Sequence, residues 1–128
     1  MTRTITADEF VGAVREVLAE RGPEYVYPVN KSFADSQCSY SRDGGTTGSC
    51  LYGVVLIEKF GLPYMAEWEG MPIHQILRNG HFAQARFVLG NEHIMAATWS
   101  QSYQDDEMPY GQVGEKFEAI LDGGDPLA

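Results

Sequence analysis

The sequence predicts an α+β fold that is mainly α, a compact bundle of four or more helices carrying a small antiparallel β-hairpin. Apolar residues recur at helical spacing in several stretches, and two short aromatic and β-branched stretches flank a polar loop. Glycine or proline punctuates most of the junctions between them. At 128 residues the chain has the length of one domain, spanning 1–128, and can close a core without metal or disulfide support. No internal repeat, low-complexity segment or linker divides it.

The first helix is expected to begin near Ala7. Thr6 and Glu9 form a capping-box pattern, with Ile5 and Phe10 placed as a hydrophobic staple. Phe10, Val11, Val14, Val17 and Leu18 mark its inner face, and Gly22-Pro23 stops it. Glu24–Val29 and Gln37–Ser41 read as the two strands of the hairpin, Pro28 belonging at an edge or a strand end because it lacks a ladder donor.

In Thr46-Thr47-Gly48-Ser49-Cys50-Leu51-Tyr52-Gly53 a glycine-rich turn runs into an apolar helix, with Ser49 as its expected N-cap. That helix, Cys50–Phe60, is apolar on almost every side and so is expected at the centre of the fold. Gly53 within it suggests close approach of another element. A helical turn over 64–70 and a short helix over 72–79 follow. Residues 80–89 fit a helix or a strand with an odd-numbered inner face, and the helix is preferred. Asn91 can cap the next helix, whose expected inward stripe is Ile94, Met95, Thr98, Trp99 and Ser102, with Tyr103 beside it. After a break at Met108-Pro109, Val113, Phe117, Ile120 and Leu121 mark a last helix, and the tail 122–128 is expected to fray.

The formal charge is −9, and residues 91–128 hold eight carboxylates against Lys116. Residues 71–90, in contrast, carry Arg78, Arg86, His74 and His81 without a carboxylate. Such a field argues against general nucleic-acid binding and for a basic or mixed-charge partner. The longest strongly apolar run, Val54–Ile57, is far below the ~20 residues that cross a membrane, and the start MTRTITADEF lacks the apolar core of a leader. A cytoplasmic location is therefore expected, and the two cysteines read more naturally as cytosolic thiols than as a disulfide framework.

Cys50 at a helix start invites a thiol nucleophile, with His81 or His93 as general base. Cys38 and Cys50 are separated by eleven residues and lack the close pair that pre-organises a structural zinc site, so neither metal nor cofactor is expected. Two small buried hydrophobes are the leading reading of the cysteines. Gln101, Gln104, Asp105 and Tyr110 cluster at a helix-to-helix corner, where the glutamines are expected to bond backbone and an aspartate to cap the last helix. Glu67 and Glu69 flank Trp68 and are candidates to pair with Arg78 or Arg86, with a partner groove around Trp68 as a further candidate.

The chain resembles an uncharacterised family of small proteins of actinobacteria and their bacteriophages. The likeness rests on Cys38-Ser39-Tyr40, Gly48-Ser49-Cys50-Leu51-Tyr52-Gly53, Gly61-Leu62-Pro63, Glu69-Gly70, Gln101-Ser102-Tyr103-Gln104-Asp105 and Pro109-Tyr110-Gly111. It departs from the family pattern at Ser49, inserted between the glycine and the cysteine, at Phe60 for leucine, at Tyr110 for tryptophan and at Glu107 for glycine. The resemblance implies an actinobacterial or phage origin and a site in the host cytoplasm, and carries no activity with it. The expectation is a non-enzymatic acidic protein that binds a host or phage protein through Asp105, Asp106 and Glu107. Homodimerisation is left open, and a thiol-dependent hydrolase built on Cys50 is the alternative.

Overall fold

The structure is a computed structural model and describes residues 3–28 and 39–124. In chain order it contains β1 (Arg3–Thr6), α1 (Ala7–Arg21), α2 (Leu51–Gly53, continuing as a π-helix over Val54–Lys59), a 3-10 turn (Ala66–Trp68) and α3 (Ile73–Arg78). A second 3-10 turn (Gly80–Phe82), β2 (Ala85–Val88), α4 (Asn91–Asp105) and α5 (Tyr110–Leu121) complete it. The α+β class holds in its main, helical part, but the sheet is not the expected one.

Among the described residues the sheet is a parallel pair, β1 with β2, in the register Arg3↔Ala85 to Thr6↔Val88. The antiparallel hairpin is overturned where the described residues cover it: 25–28 and 39–41 form no strand, and positions 29, 37 and 38 lie outside them. Their backbone groups are engaged elsewhere. The carbonyls of Pro23 and Tyr25 accept from Gly111 and Tyr110, the first N–H groups of α5, at 2.9 and 2.8 Å. Those of Ser39 and Tyr40 accept from Cys50 and Ser49 at 3.0 and 2.9 Å. With these carbonyls taken, Tyr25, Ser39 and Tyr40 have none to offer a ladder between the two segments.

Segment 80–89 is likewise corrected from helix to 3-10 turn and strand. Gln84 at φ 52 breaks any helix there, and Ala85 and Phe87 then turn inward while Arg86 and Val88 are exposed. The capping box that opens α1 is present, with the Thr6 hydroxyl accepting from Glu9 N at 3.2 Å and the Glu9 carboxylate accepting from Thr6 N at 3.3 Å. Ile5 and Phe10 are both fully buried. Phe10 stacks on Tyr52 with centroids 6.0 Å apart and meets Phe87 edge-on at 6.4 Å, so α1 is joined through one ring to both α2 and β2.

The central segment is buried from Cys50 to Ile57, as its all-round apolarity demands. Cys50, not Ser49, is its N-cap, and no side chain of its own closes the helix start. Gly90, not Asn91, caps α4.

The largest departure is the orientation of α4. Its buried positions are Ala96, Ala97, Ser100, Gln101 and Gln104. The stripe expected to face inward faces out: Met95 is 41% exposed, Ser102 is exposed, and Ile94, Thr98, Trp99 and Tyr103 are half-buried. Small residues let α4 lie close to its neighbours, and the buried glutamines have backbone partners there.

Glu107, in the corner after α4, adopts φ 64, with Glu107 N donating to Gln104 O at 3.0 Å and Met108 N to Tyr103 O at 3.1 Å. This is a left-handed helix stop, which costs a residue with a Cβ ~1–2 kcal/mol and glycine little. Glu107→Gly is expected to stabilise the fold by about 1 kcal/mol, raising Tm by about 4 °C in a calorimetric scan. An unchanged or lower Tm would show that the Glu107 side chain contributes more than its backbone costs.

Candidate functional site

The loop leading to Cys50 is organised by Asp43. Its Oδ1 accepts from the Ser41 hydroxyl at 2.9 Å and from the amides of Thr46 and Thr47 at 3.1 and 3.0 Å. Its Oδ2 accepts from the Thr47 hydroxyl at 2.6 Å. These donors, the Thr47 hydroxyl foremost, hold the carboxyl well below the usual range. Cys50 itself is 0% exposed. His81 is exposed and leans on the Phe82 ring at 4.2 Å, while His93 sits in the first turn of α4 with Nδ1 accepting from Gly90 N at 2.9 Å. Neither histidine reaches the thiol with a hydrogen bond among the described residues. Cys38 lies outside those residues, and within them no three His, Cys, Asp or Glu side chains are grouped to hold a metal.

Gln101 and Gln104 stand one turn apart on α4, and each closes the start of a different helix. Gln101 Oε1 accepts from Ile73 N, the first residue of α3, at 2.8 Å, and its amide donates to Tyr40 OH at 2.8 Å. Gln104 Oε1 accepts from Leu51 N, the first residue of α2, at 2.7 Å and from Tyr110 OH at 2.6 Å. They bond backbone, as expected of them, but of distant helix starts and not of their own corner.

Glu69 pairs with neither Arg78 nor Arg86. Its carboxylate accepts from Tyr40 N at 3.1 Å, Ser41 N at 3.2 Å and the Tyr64 hydroxyl. Burial first, and then the hydrogen bond to Glu69 and its charge, hold that hydroxyl above the usual phenol range. Trp68 offers no surface groove: it is fully buried, with its indole N–H donating to Phe82 O at 3.0 Å.

The outward face of α4 is the feature that periodicity placed on the wrong side. Beside it lies an open groove of about 360 Å³ between α3 and α4, walled by Ile94, Met95, Thr98 and Trp99, with His74 and Arg78 at its α3 edge. His74 Nδ1 is buried without a hydrogen-bond partner among the described residues. Lys116 of α5 sits over the Tyr103 ring at 5.3 Å. The helix ends at the acidic corner, where Asp105 accepts from the Gln104 amide at 3.2 Å and Asp106 and Glu107 are exposed. Of the sequence-predicted residues, the structure thus gathers Asp105, Asp106 and Glu107 at one end of the apolar stripe, and leaves Cys50, His81 and His93 apart.

No described helix is long and apolar enough to cross a membrane. Comparison with protein-family models, with curated proteins and with solved structures finds no match for this chain.

Proposed function

We propose that this chain is a small non-enzymatic binding protein, phage-encoded and acting in the host cytoplasm, whose partner is a host or phage protein of basic or mixed charge. The observation that carries this reading is the outward face of α4. Met95, Trp99 and Tyr103, at i, i+4 and i+8, make a continuous stripe of the residue types that dominate protein interfaces, and it runs into Asp106 and Glu107. Apolar contact along the helix would supply affinity, and the carboxylates at its end would steer encounter. Origin and compartment rest on the resemblance alone.

The test is capture from actinobacterial lysate by wild type and by two variants, with circular dichroism confirming that each is folded. Reversing the exposed Asp106 and Glu107 to lysine is expected to weaken capture while leaving the fold largely intact, because exposed charges contribute little to stability, and Asp105 is kept because it accepts from the Gln104 amide. Capture is also expected to fall with rising salt, since such attraction is screened within ~8 Å at physiological ionic strength. Met95→Lys is expected to abolish it. A hydrolase using Cys50 predicts instead that Cys50→Ser destroys function and that the charge reversal is harmless. Undiminished capture by both surface variants would end the proposal.

A further inference from the structure

We propose that the cleft between the end of α1 and the 42–49 loop binds the phosphate group of a small phosphate monoester. The cleft has a volume of about 310 Å³ and is lined by Arg21, Tyr25, Tyr27, Arg42, Thr47 and Ser49, among others. It shares no residue with the α4 face.

The argument is a count of donors. A guanidinium carries five N–H donors in a rigid planar fork and has no acceptor. Arg42 lies over the Tyr27 ring at 5.2 Å, and its Nη2 donates to Tyr27 OH at 3.0 Å and to Pro28 O at 2.6 Å. Those two bonds engage one nitrogen and leave Nε and Nη1 without an acceptor among the described residues. Arg21 lies over the Tyr25 ring at 5.3 Å and makes no hydrogen bond or ion pair among them. Among the described residues that line the cleft Asp43 is the one carboxylate, and neither guanidinium is paired with it, so two guanidiniums against one carboxylate leave a local surplus of positive charge in a chain with eighteen carboxylates. Arg15 and Lys59, by comparison, are paired with Glu118 and Glu20.

The floor of the cleft adds a directed hydroxyl. Tyr27 is 1% exposed, and its oxygen accepts from Arg42 Nη2 and from Ser39 N, which have no other role than to donate. Its own proton then goes to Ser49 Oγ, the nearer acceptor at 3.1 Å against 3.4 Å for Ser39 O. Ser49 Oγ, having accepted, has its own proton left to donate. Asp43, the carboxylate of the wall, is turned to its own loop, with both oxygens engaged by Ser41, Thr46 and Thr47.

Two pre-oriented forks and a hydroxyl donor suit an oxyanion with several acceptor oxygens, and such charge-assisted bonds are about twice as strong as neutral ones. Stacking on the tyrosines holds both guanidiniums in place before the ligand arrives, which lowers the ordering cost of binding. The volume is at the lower end of the ~300–1,000 Å³ of small-ligand sites, which favours a compact organic body on the phosphate over a polypeptide carrying one.

The test is an amide-resolved NMR titration at physiological ionic strength with inorganic phosphate, ribose 5-phosphate, ribose and a phosphoserine peptide. Inorganic phosphate and ribose 5-phosphate are expected to shift the amides of Thr47, Gly48 and Ser49, with ribose silent. Arg21→Gln is expected to weaken ribose 5-phosphate at least about tenfold. Because Arg21 makes no hydrogen bond among the described residues, this variant is expected to leave the loop intact if Arg42→Gln disturbs it. No shift with tens of millimolar phosphate, equal shifts with ribose, unchanged affinity in Arg21→Gln, or tighter binding of the phosphopeptide would each overturn the proposal. The charge-reversed α4 corner is expected to bind ribose 5-phosphate like wild type, so the failure of either proposal is seen separately.

Discussion

Gln104→Leu is expected to lower the unfolding free energy by about 3 kcal/mol, although leucine is close to glutamine in size and suits a buried helical position. Gln104 is 0% exposed, and its Oε1 accepts from two donors, Leu51 N and Tyr110 OH. Leucine would leave both in a space that water does not reach. A buried donor stripped of its acceptor costs ~1–3 kcal/mol, more than the bond contributed while it existed. Leu51 N also opens the most buried helix, so its loss leaves that start without the cap that its own Cys50 does not supply. Tyr110→Phe is expected to cost about 1 kcal/mol by itself and to be partly masked in Gln104→Leu, because the hydroxyl that leucine would orphan is then already gone. Urea denaturation of the two single variants and the double variant measures the coupling. A loss below about 1 kcal/mol in Gln104→Leu, or strict additivity, would mean that water or a rearranged side chain satisfies these donors.

That a polar residue at this corner serves the backbone was legible in the sequence; which backbone it serves was not, because Leu51 is fifty-three positions away. The same boundary between local and distant information runs through the fold. The start of α1 was readable since Thr6 and Glu9 answer each other within one turn. β1 was not, because four residues, Arg3–Thr6, show too little alternation and their partner strand begins at Ala85. The alternation of Ala85 and Phe87 was visible, but only the mate strand decides between it and a helix.

The helix α4 misled for a different reason. Periodicity assigns the more apolar face to the core, and Ile94, Met95 and Trp99 outweigh Ala96, Ala97, Ser100, Gln101 and Gln104 on any hydrophobicity scale. Burial there is decided by close packing through small residues and by the need of two helix starts for acceptors, neither of which hydrophobicity records. The hairpin failed similarly, because 24–29 and 37–41 had the composition of strands, but the carbonyls of Tyr25, Ser39 and Tyr40 had partners in α5 and in the Ser49-Cys50 segment. The Arg21 and Arg42 donors at the cleft carried no motif, and that several of them lack an acceptor among the described residues is a property of the folded surface.

Gly53→Ala is expected to destabilise the protein by about 3 kcal/mol or more, whereas Gly12→Ala is expected to stabilise it by about 1 kcal/mol. Both glycines lie in helices and both would gain the same helical propensity from alanine. Their surroundings reverse the sign. A Cβ on Gly12 would meet nothing within 4 Å, but one on Gly53 would stand 2.0 Å from the carbonyl oxygen of Tyr40 and 2.8 Å from its carbon. The obstacle is backbone, so no rotamer change relieves it. Nor can the carbonyl retreat cheaply. Tyr40 O accepts from Ser49 N at 2.9 Å, Tyr40 N is held by Glu69 at 3.1 Å, and Tyr40 OH is fixed between Met71 O and the Gln101 amide at 2.6 and 2.8 Å. Alanine at 53 must therefore displace the 39–49 loop, breaking some of these bonds, or tilt α2 in the core. The glycine of the opening turn, Gly48, is confined on the same side, its Cβ position 2.3 Å from Val54 N, so the loop and the helix start are fitted to each other at two points. Thermal and urea unfolding of the two variants decide the matter. If Gly53→Ala is as stable as wild type, the contact that seats this loop on the central helix is not as close as the structure has it, and the placement of Cys50 beneath the loop would have to be redrawn.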